Sequence, residues 1–190
     1  MNRGCAALLL VLFLIAILSA ATFAWALTLY NRMVALDQDV RAAWAQVENQ
    51  LQRRADLIPR YVEIVREYAQ HERDVFDEVA RARAALVGAV TPQDKMAARA
   101  RLEGALGRLL AVAERYPDLK ASQNYLALQH ELAGTENRIS VERGRYNDAV
   151  GEYNRTAKSF PTRWFIGRWA VDKEKPFFEA SEGAEETPAV

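Results

Sequence analysis

Cysteine is almost missing from this chain: 190 residues contain one, Cys5. That excludes an intramolecular disulfide and a cysteine-built metal site, and it leaves the redox compartment unreadable. Cys5 precedes a long apolar stretch, whereas a lipoprotein-type acylation signal places its cysteine after one. It reads as a small apolar residue. Histidine is nearly as scarce, with only His71 and His130. A zinc-protease helix starting at His71-Glu72 needs a second histidine at 75, where Val75 stands. Di-iron bundles use Glu-x-x-His, but Glu67 lies four before His71, and Ala127 lies three before His130. No metal and no cofactor is therefore expected. No glycine-rich phosphate loop occurs, and two solitary histidines supply no Ser-His-Asp set. Glu185-Glu186 lie in a flexible acidic end that holds no fixed geometry. Net charge is also absent, with 25 basic and 25 acidic residues. Beyond Arg3 the balance is 24 to 25, which argues against nucleic acid as a partner.

Charge is missing altogether between Arg3 and Arg32. The run Cys5–Leu29, "CAALLLVLFLIAILSAATFAWALTL", would span roughly 37 Å as a helix, more than the roughly 30 Å hydrocarbon core. Trp25 and Tyr30 stand near its end, as belt aromatics do. Ala24-Trp25-Ala26 resembles a signal-peptidase site, but the run outlasts a signal peptide, so an anchor is the preferred reading. Arg3 on one side and Arg32 and Arg41 on the other do not choose an orientation.

Glycine and proline number nine and six, and Ala, Leu, Arg and Glu dominate, the composition of a helical protein. Beyond Asn31 the apolar spacing is three to four almost throughout, with no strand-like alternation. Val34, Val40, Trp44, Val47 and Leu51 mark the first soluble stretch. "RRADLIPRY" offers a break, with Asp56 capping a second helix and Pro59 in its first turn; one helix kinked at Pro59 is the alternative. "QRRAD" reads as charge pairing and capping at that junction, or else as an anion-docking patch. The second helix extends to about Val87. Gly88 and Thr91-Pro92 stop it and start a third, which ends near Arg115. Pro117 separates that from a fourth, running to about Ser159 and stopped by Pro161.

The expected fold is all-α: an N-terminal transmembrane helix, then an antiparallel up-down four-helix bundle with an irregular aromatic C-terminal tail. The divisions fall at a flank 1–4, a span 5–30, a bundle 31–160, an aromatic tail 161–179 and a disordered acidic end 180–190. In the tail, Trp164 and Trp169 either wrap back over the open end of the bundle or lie at the membrane interface, with Arg163 and Arg168 near headgroups.

The dipeptide Tyr-Asn occurs at 30–31, 146–147 and 153–154. Positions seven apart share a helix face, so Tyr146 and Tyr153 form one row and Asn147 and Asn154 another. An up-down bundle gathers all three pairs at its membrane-proximal end. The Asn row is either a set of packing positions with a polar handle or a polar groove for a partner's helix.

Five blocks in order resemble the LemA family: "AWAQVENQLQRRADLIPRYVEIVREYAQHE", "EVARARA", "ERYPDLKASQNYLALQHELAGTENRI", "RYNDAVGEYN" and "PFFEA". The resemblance implies a bacterial membrane protein with one N-terminal span and a helical-bundle domain, some relatives being associated with magnetosome membranes. It implies an outward N-terminus and a cytoplasmic bundle, which the flanking charges do not test. It points to Arg53, Arg54, Asp56 and Pro59, to Glu114, Tyr116 and Pro117, and to Asn137, Arg138, Tyr146, Asn147, Tyr153 and Asn154, without giving them roles. The resulting expectation is a non-enzymatic scaffold in the inner membrane. Its partners would be the bilayer, another membrane protein and, through self-association, a second copy. A ligand-binding or enzymatic bundle is the alternative.

Overall fold

The computed structural model describes residues 3–168 and 174–178. They form helices and no strand: α1 Arg3–Tyr68, α2 Arg73–Gly88, α3 Pro92–Ala113, the one-turn α4 Pro117–Lys120, α5 Gln123–Lys158, and the one-turn α6 Thr162–Phe165, which runs into a 3₁₀ turn Ile166–Arg168. Trp169 and the acidic end 180–190 lie outside the described residues.

The expected break at Pro59 does not occur, because α1 runs straight through it. Pro59 lacks the N–H that would bond the carbonyl of Ala55, and that is the usual cost of an interior proline. Here Arg83 of α2 donates its Nε–H to the Ala55 carbonyl oxygen at 2.7 Å. The orphaned acceptor is satisfied from a neighbouring helix, and the proline ring faces outward. Asp56 therefore caps nothing. It accepts a hydrogen bond from Gln52 at 2.9 Å, one turn earlier in the same helix. The anion-docking alternative falls with the junction, since no helix begins there.

The other boundaries follow the local chemistry. The Thr91 side chain accepts a bond from the Asp94 N–H at 3.1 Å, with Pro92 at the first helical position. Tyr116 flanks α4 and Pro117 opens it.

The chain divides into two compact units that share the long helices α1 and α5: Met1–Arg41 with Ala149–Pro176, and Ala42–Asp148 with Phe177–Val190. In the second unit α1 and α5 are antiparallel. Along α1 the contacts pass from Trp44 to Arg54 to Tyr61, while along α5 they fall from Tyr146 to Glu136 to Tyr125. Helices α2 and α3 are antiparallel too, Arg108 pairing with Glu78 and Arg115 with Glu72. The core holds Val47, Leu51, Ile58, Tyr61 and Val65 of α1, Phe76 and Val79 of α2, Leu102 and Leu109 of α3, and Tyr125, Ile139 and Tyr146 of α5. Each large apolar side chain so buried contributes about 1.5–3 kcal/mol.

In the first unit, the stretch of α1 from Leu9 to Leu27 exposes its large apolar side chains on every face. The helix that carries it is long and apolar enough to cross a membrane. Its hydroxyls bond inward, Thr22 to the Leu18 carbonyl and Thr28 to the Ala24 carbonyl, both at 2.8 Å. That is what a helix in lipid requires of its polar groups. This stretch is the single membrane anchor among the described residues.

Candidate functional site

The Tyr-Asn row on α5 is where the structure concentrates its polar contacts with the C-terminal segment. In the first unit Tyr153 is fully buried and Asn154 nearly so. The Asn154 side-chain amide donates to the carbonyl of Lys175 at 2.9 Å, and its oxygen accepts from the N–H of the same residue at 2.8 Å. One amide thus satisfies both backbone groups of one residue, as a neighbouring strand would. The Lys175 ammonium reaches Asp37 of α1 at 2.8 Å and lies 5.4 Å from the centre of the Tyr153 ring. Arg41 bonds the other Asp37 oxygen at 2.8 Å. Burial alone would raise the Asp37 carboxyl, but the bond and charge of Lys175, followed by Arg41, hold it below the ordinary value.

In the second unit Asn147 repeats the arrangement on Phe178. Its amide donates to the Phe178 carbonyl at 2.9 Å, and the Phe178 N–H donates to its oxygen at 2.7 Å. The Phe178 ring is buried. It faces Trp44 with ring centres 6.4 Å apart, and the Arg143 guanidinium sits 4.3 Å above it. Trp44 in turn meets Tyr146 edge-on at 5.3 Å.

Behind this aromatic nest lies a charged cluster. Arg54 of α1 and Arg99 of α3 both pair with Glu136 of α5, and Arg99 also pairs with Glu103. Arg54 and Arg99 are buried. Burial, against the pull of Arg99, raises the Glu103 carboxyl. Burial and the nearby Arg99 charge lower the Arg143 guanidinium. Such a network joins three helices through the Glu136 carboxylate. At the far end of the α1–α5 pair, Tyr61 and Tyr125 stack at 5.5 Å. Burial and then Tyr125 push the Tyr61 phenol well above its ordinary range.

The predicted residues separate cleanly. Arg54, Tyr146, Asn147, Tyr153 and Asn154 take part in the contacts just described. Arg53 makes an exposed pair with Glu131 at 3.4 Å, and Asn137 is exposed. Tyr116 and Pro117 shape the α3–α5 connection. Trp164 is 72% exposed. The three Tyr-Asn pairs are divided between the two units. Tyr30-Asn31 shares a unit with Tyr153-Asn154, where Arg32 lies 3.6 Å from Glu152. Tyr146-Asn147 belongs to the other unit, and Asn31 is exposed. Sequence reasoning missed Asp37, Arg83, Arg99, Glu136, Lys175 and Phe178 as site residues. Among the described residues no group of three or more His, Asp or Glu is placed to hold a metal.

The sequence model of the LemA family matches residues 43–190, which takes in the aromatic nest, the charged cluster and both gripped residues. The chain belongs to the LemA family. It is similar to magnetosome protein MamQ 2 of Paramagnetospirillum magneticum, at 26% identity over 94% of this chain and 75% of the relative. It is also similar to magnetosome protein MamQ of Magnetospirillum gryphiswaldense, at 25% identity over the whole chain and 78% of the relative. This LemA-family chain is thus a membrane-associated helical protein anchored by one N-terminal span.

Proposed function

We propose that this LemA-family protein is a non-enzymatic membrane adaptor whose helical face recognises an extended peptide carrying an aromatic residue. The carrying observation is the treatment of Phe178: both its backbone groups are held by Asn147, and its ring is enclosed by Trp44 and Arg143. A backbone grip gives affinity and an aromatic pocket gives selectivity, the division of labour found where extended peptides bind. The chain's own tail occupies this place in cis. A segment of similar chemistry, from another membrane protein or a second copy, would occupy it in trans. The chain's own apolar N-terminal span fits an adaptor working at a membrane.

The test uses a peptide with the sequence of residues 174–180, "EKPFFEA", labelled and added to the full chain carrying Phe178→Ala. Saturable binding that is lost on further substitution Asn147→Ala supports recognition. Photo-crosslinking from Phe177, which is 46% exposed, should then capture discrete proteins in intact membranes. Absence of both peptide binding and discrete crosslinks sinks the adaptor reading and leaves the grip as internal packing.

A further inference from the structure

The first unit leaves two large aromatic side chains in the open beyond the end of α5. Phe160 is 76% exposed and Trp164 is 72% exposed, and they pack edge to face with ring centres 5.3 Å apart. The segment presenting them is firmly held. Arg163 donates its N–H to the Ser159 carbonyl and Trp164 to the Pro161 carbonyl, both at 3.0 Å. Thr162 and Ile166 are buried on the other side. An ordered elbow with an outward aromatic pair is an apolar patch that calls for a partner.

Its position names that partner. Glu152 of α5 lies beside Arg32 of α1, and Arg32 is the first charged residue after the apolar run. Because α5 runs opposite to α1, the residues after Glu152 lie alongside those before Arg32. Lys158, the last residue of α5, is six residues on, or about 9 Å at the helical rise. That brings it level with the neighbourhood of Trp25, inside the aromatic end of the span. Phe160 and Trp164 follow immediately. Arg155 and Lys158 close α5, where they pair with Glu152 and Glu174 at 2.7 and 2.6 Å, and Arg163 lies within the elbow beside the aromatic pair. Aromatics with Arg and Lys at this depth are the composition of a headgroup-layer contact.

We propose that the elbow 160–165 is seated in the headgroup layer of the bilayer beside the protein's own span, as a second membrane contact. By the helical rise the patch comes level with the apolar stretch of α1, and the flanking Arg163 suits anionic lipid. This holds whether or not the adaptor reading does, since it uses no residue of the Phe178 nest.

The test places a nitroxide on the full chain in vesicles of phosphatidylethanolamine and phosphatidylglycerol. Cys5→Ala provides the background. Phe160→Cys and Trp164→Cys each label one aromatic position and leave the other intact. Val90→Cys, at an 84% exposed loop position, reports on water. The expected result is an oxygen-to-nickel accessibility ratio several-fold higher at 160 and 164 than at 90. A ratio equal to that at 90 overturns the proposal, because the elbow is then in water. Low accessibility to both reagents also overturns it, because the elbow is then covered by protein, such as a second copy. Both labelled positions are exposed, so neither substitution removes a core contact.

Discussion

Asn154 and Asn147 perform the same act on two different residues. Each grips the backbone of one residue of the C-terminal segment through both amide atoms. Asn154 grips Lys175, whose side chain ends on the Asp37 carboxylate. Asn147 grips Phe178, whose ring is surrounded by Trp44 and Arg143. The grip is blind to side-chain identity, since it touches only N–H and C=O. What distinguishes the two places is the company around them, ionic in one and aromatic in the other. Backbone capture and side-chain selection are therefore separable here, and each is open to independent disruption.

The largest effect should come from the tyrosine row, which supports both grips. Tyr146→Ala and Tyr153→Ala should each destabilise the fold by about 3 kcal/mol, the cost of truncating a large buried aromatic. Denaturant melts of the purified chain measure this. Melts of both variants that match the parent would mean the row is not core, and the shared scaffold of the comparison would fail.

Removing the amides tests the grips themselves. Asn154→Ala and Asn147→Ala each lose two hydrogen bonds and leave an N–H and a C=O needing new partners, a cost of about 2 kcal/mol. Hydrogen exchange should rise sharply at Lys175 in the first variant and at Phe178 in the second. Equal exchange at both sites in either variant would show one cooperative latch instead of two grips.

A third backbone group depends on a side chain in the same way, the Ala55 carbonyl capped by Arg83. It differs in using a charged donor, so it sharpens the comparison. Arg83→Ala should cost about 1.5 kcal/mol, in the range for a bond to a charged group. In a Pro59→Ala background the cost should shrink, because residue 59 then supplies the missing N–H. A cost unchanged by that background would mean Arg83 acts through Asp56, 3.9 Å away, and not through the backbone.

The helices were legible in the sequence because their signals are local: spacing, Thr91-Pro92, Gly88, Pro117 and Pro161. The seven-residue spacing puts Asn147 and Asn154 on one helix face, and both side chains meet the C-terminal segment. What occupies that face was not legible, because Lys175 and Phe178 lie 21 and 31 positions beyond the asparagines they meet, and no local pattern encodes such pairings. Pro59 misled for a related reason. The proline rule assumes an unsatisfied carbonyl, and the donor that removes the problem is Arg83, 28 positions beyond that carbonyl. Arg99 and Glu136 carry no local signal that sets them apart from the other charges on their helices. Only the packing of α1, α3 and α5 reveals them as one network around two buried arginines.

The smallest effect on overall stability should be the most discriminating. The Asp37 carboxyl is held below its ordinary value by Lys175 and Arg41. A depressed folded-state pKa contributes stability that is complete above the unfolded value, near 4, and is lost as pH falls through the folded one. Acidification below pH about 4 should therefore loosen the Lys175 grip through its side chain. The Phe178 grip has no carboxylate among the contacts described at its ring, and should hold over the same interval. Exchange at the two backbone amides, followed from neutral to acid pH and corrected for intrinsic rates, reads this directly. Protection should fall at Lys175 first, and Asp37→Asn should give that reduced protection already at neutral pH while leaving Phe178 unchanged. If protection at the two amides declines in parallel, the ionic and aromatic surroundings do not act separately, and the division between capture and selection is lost.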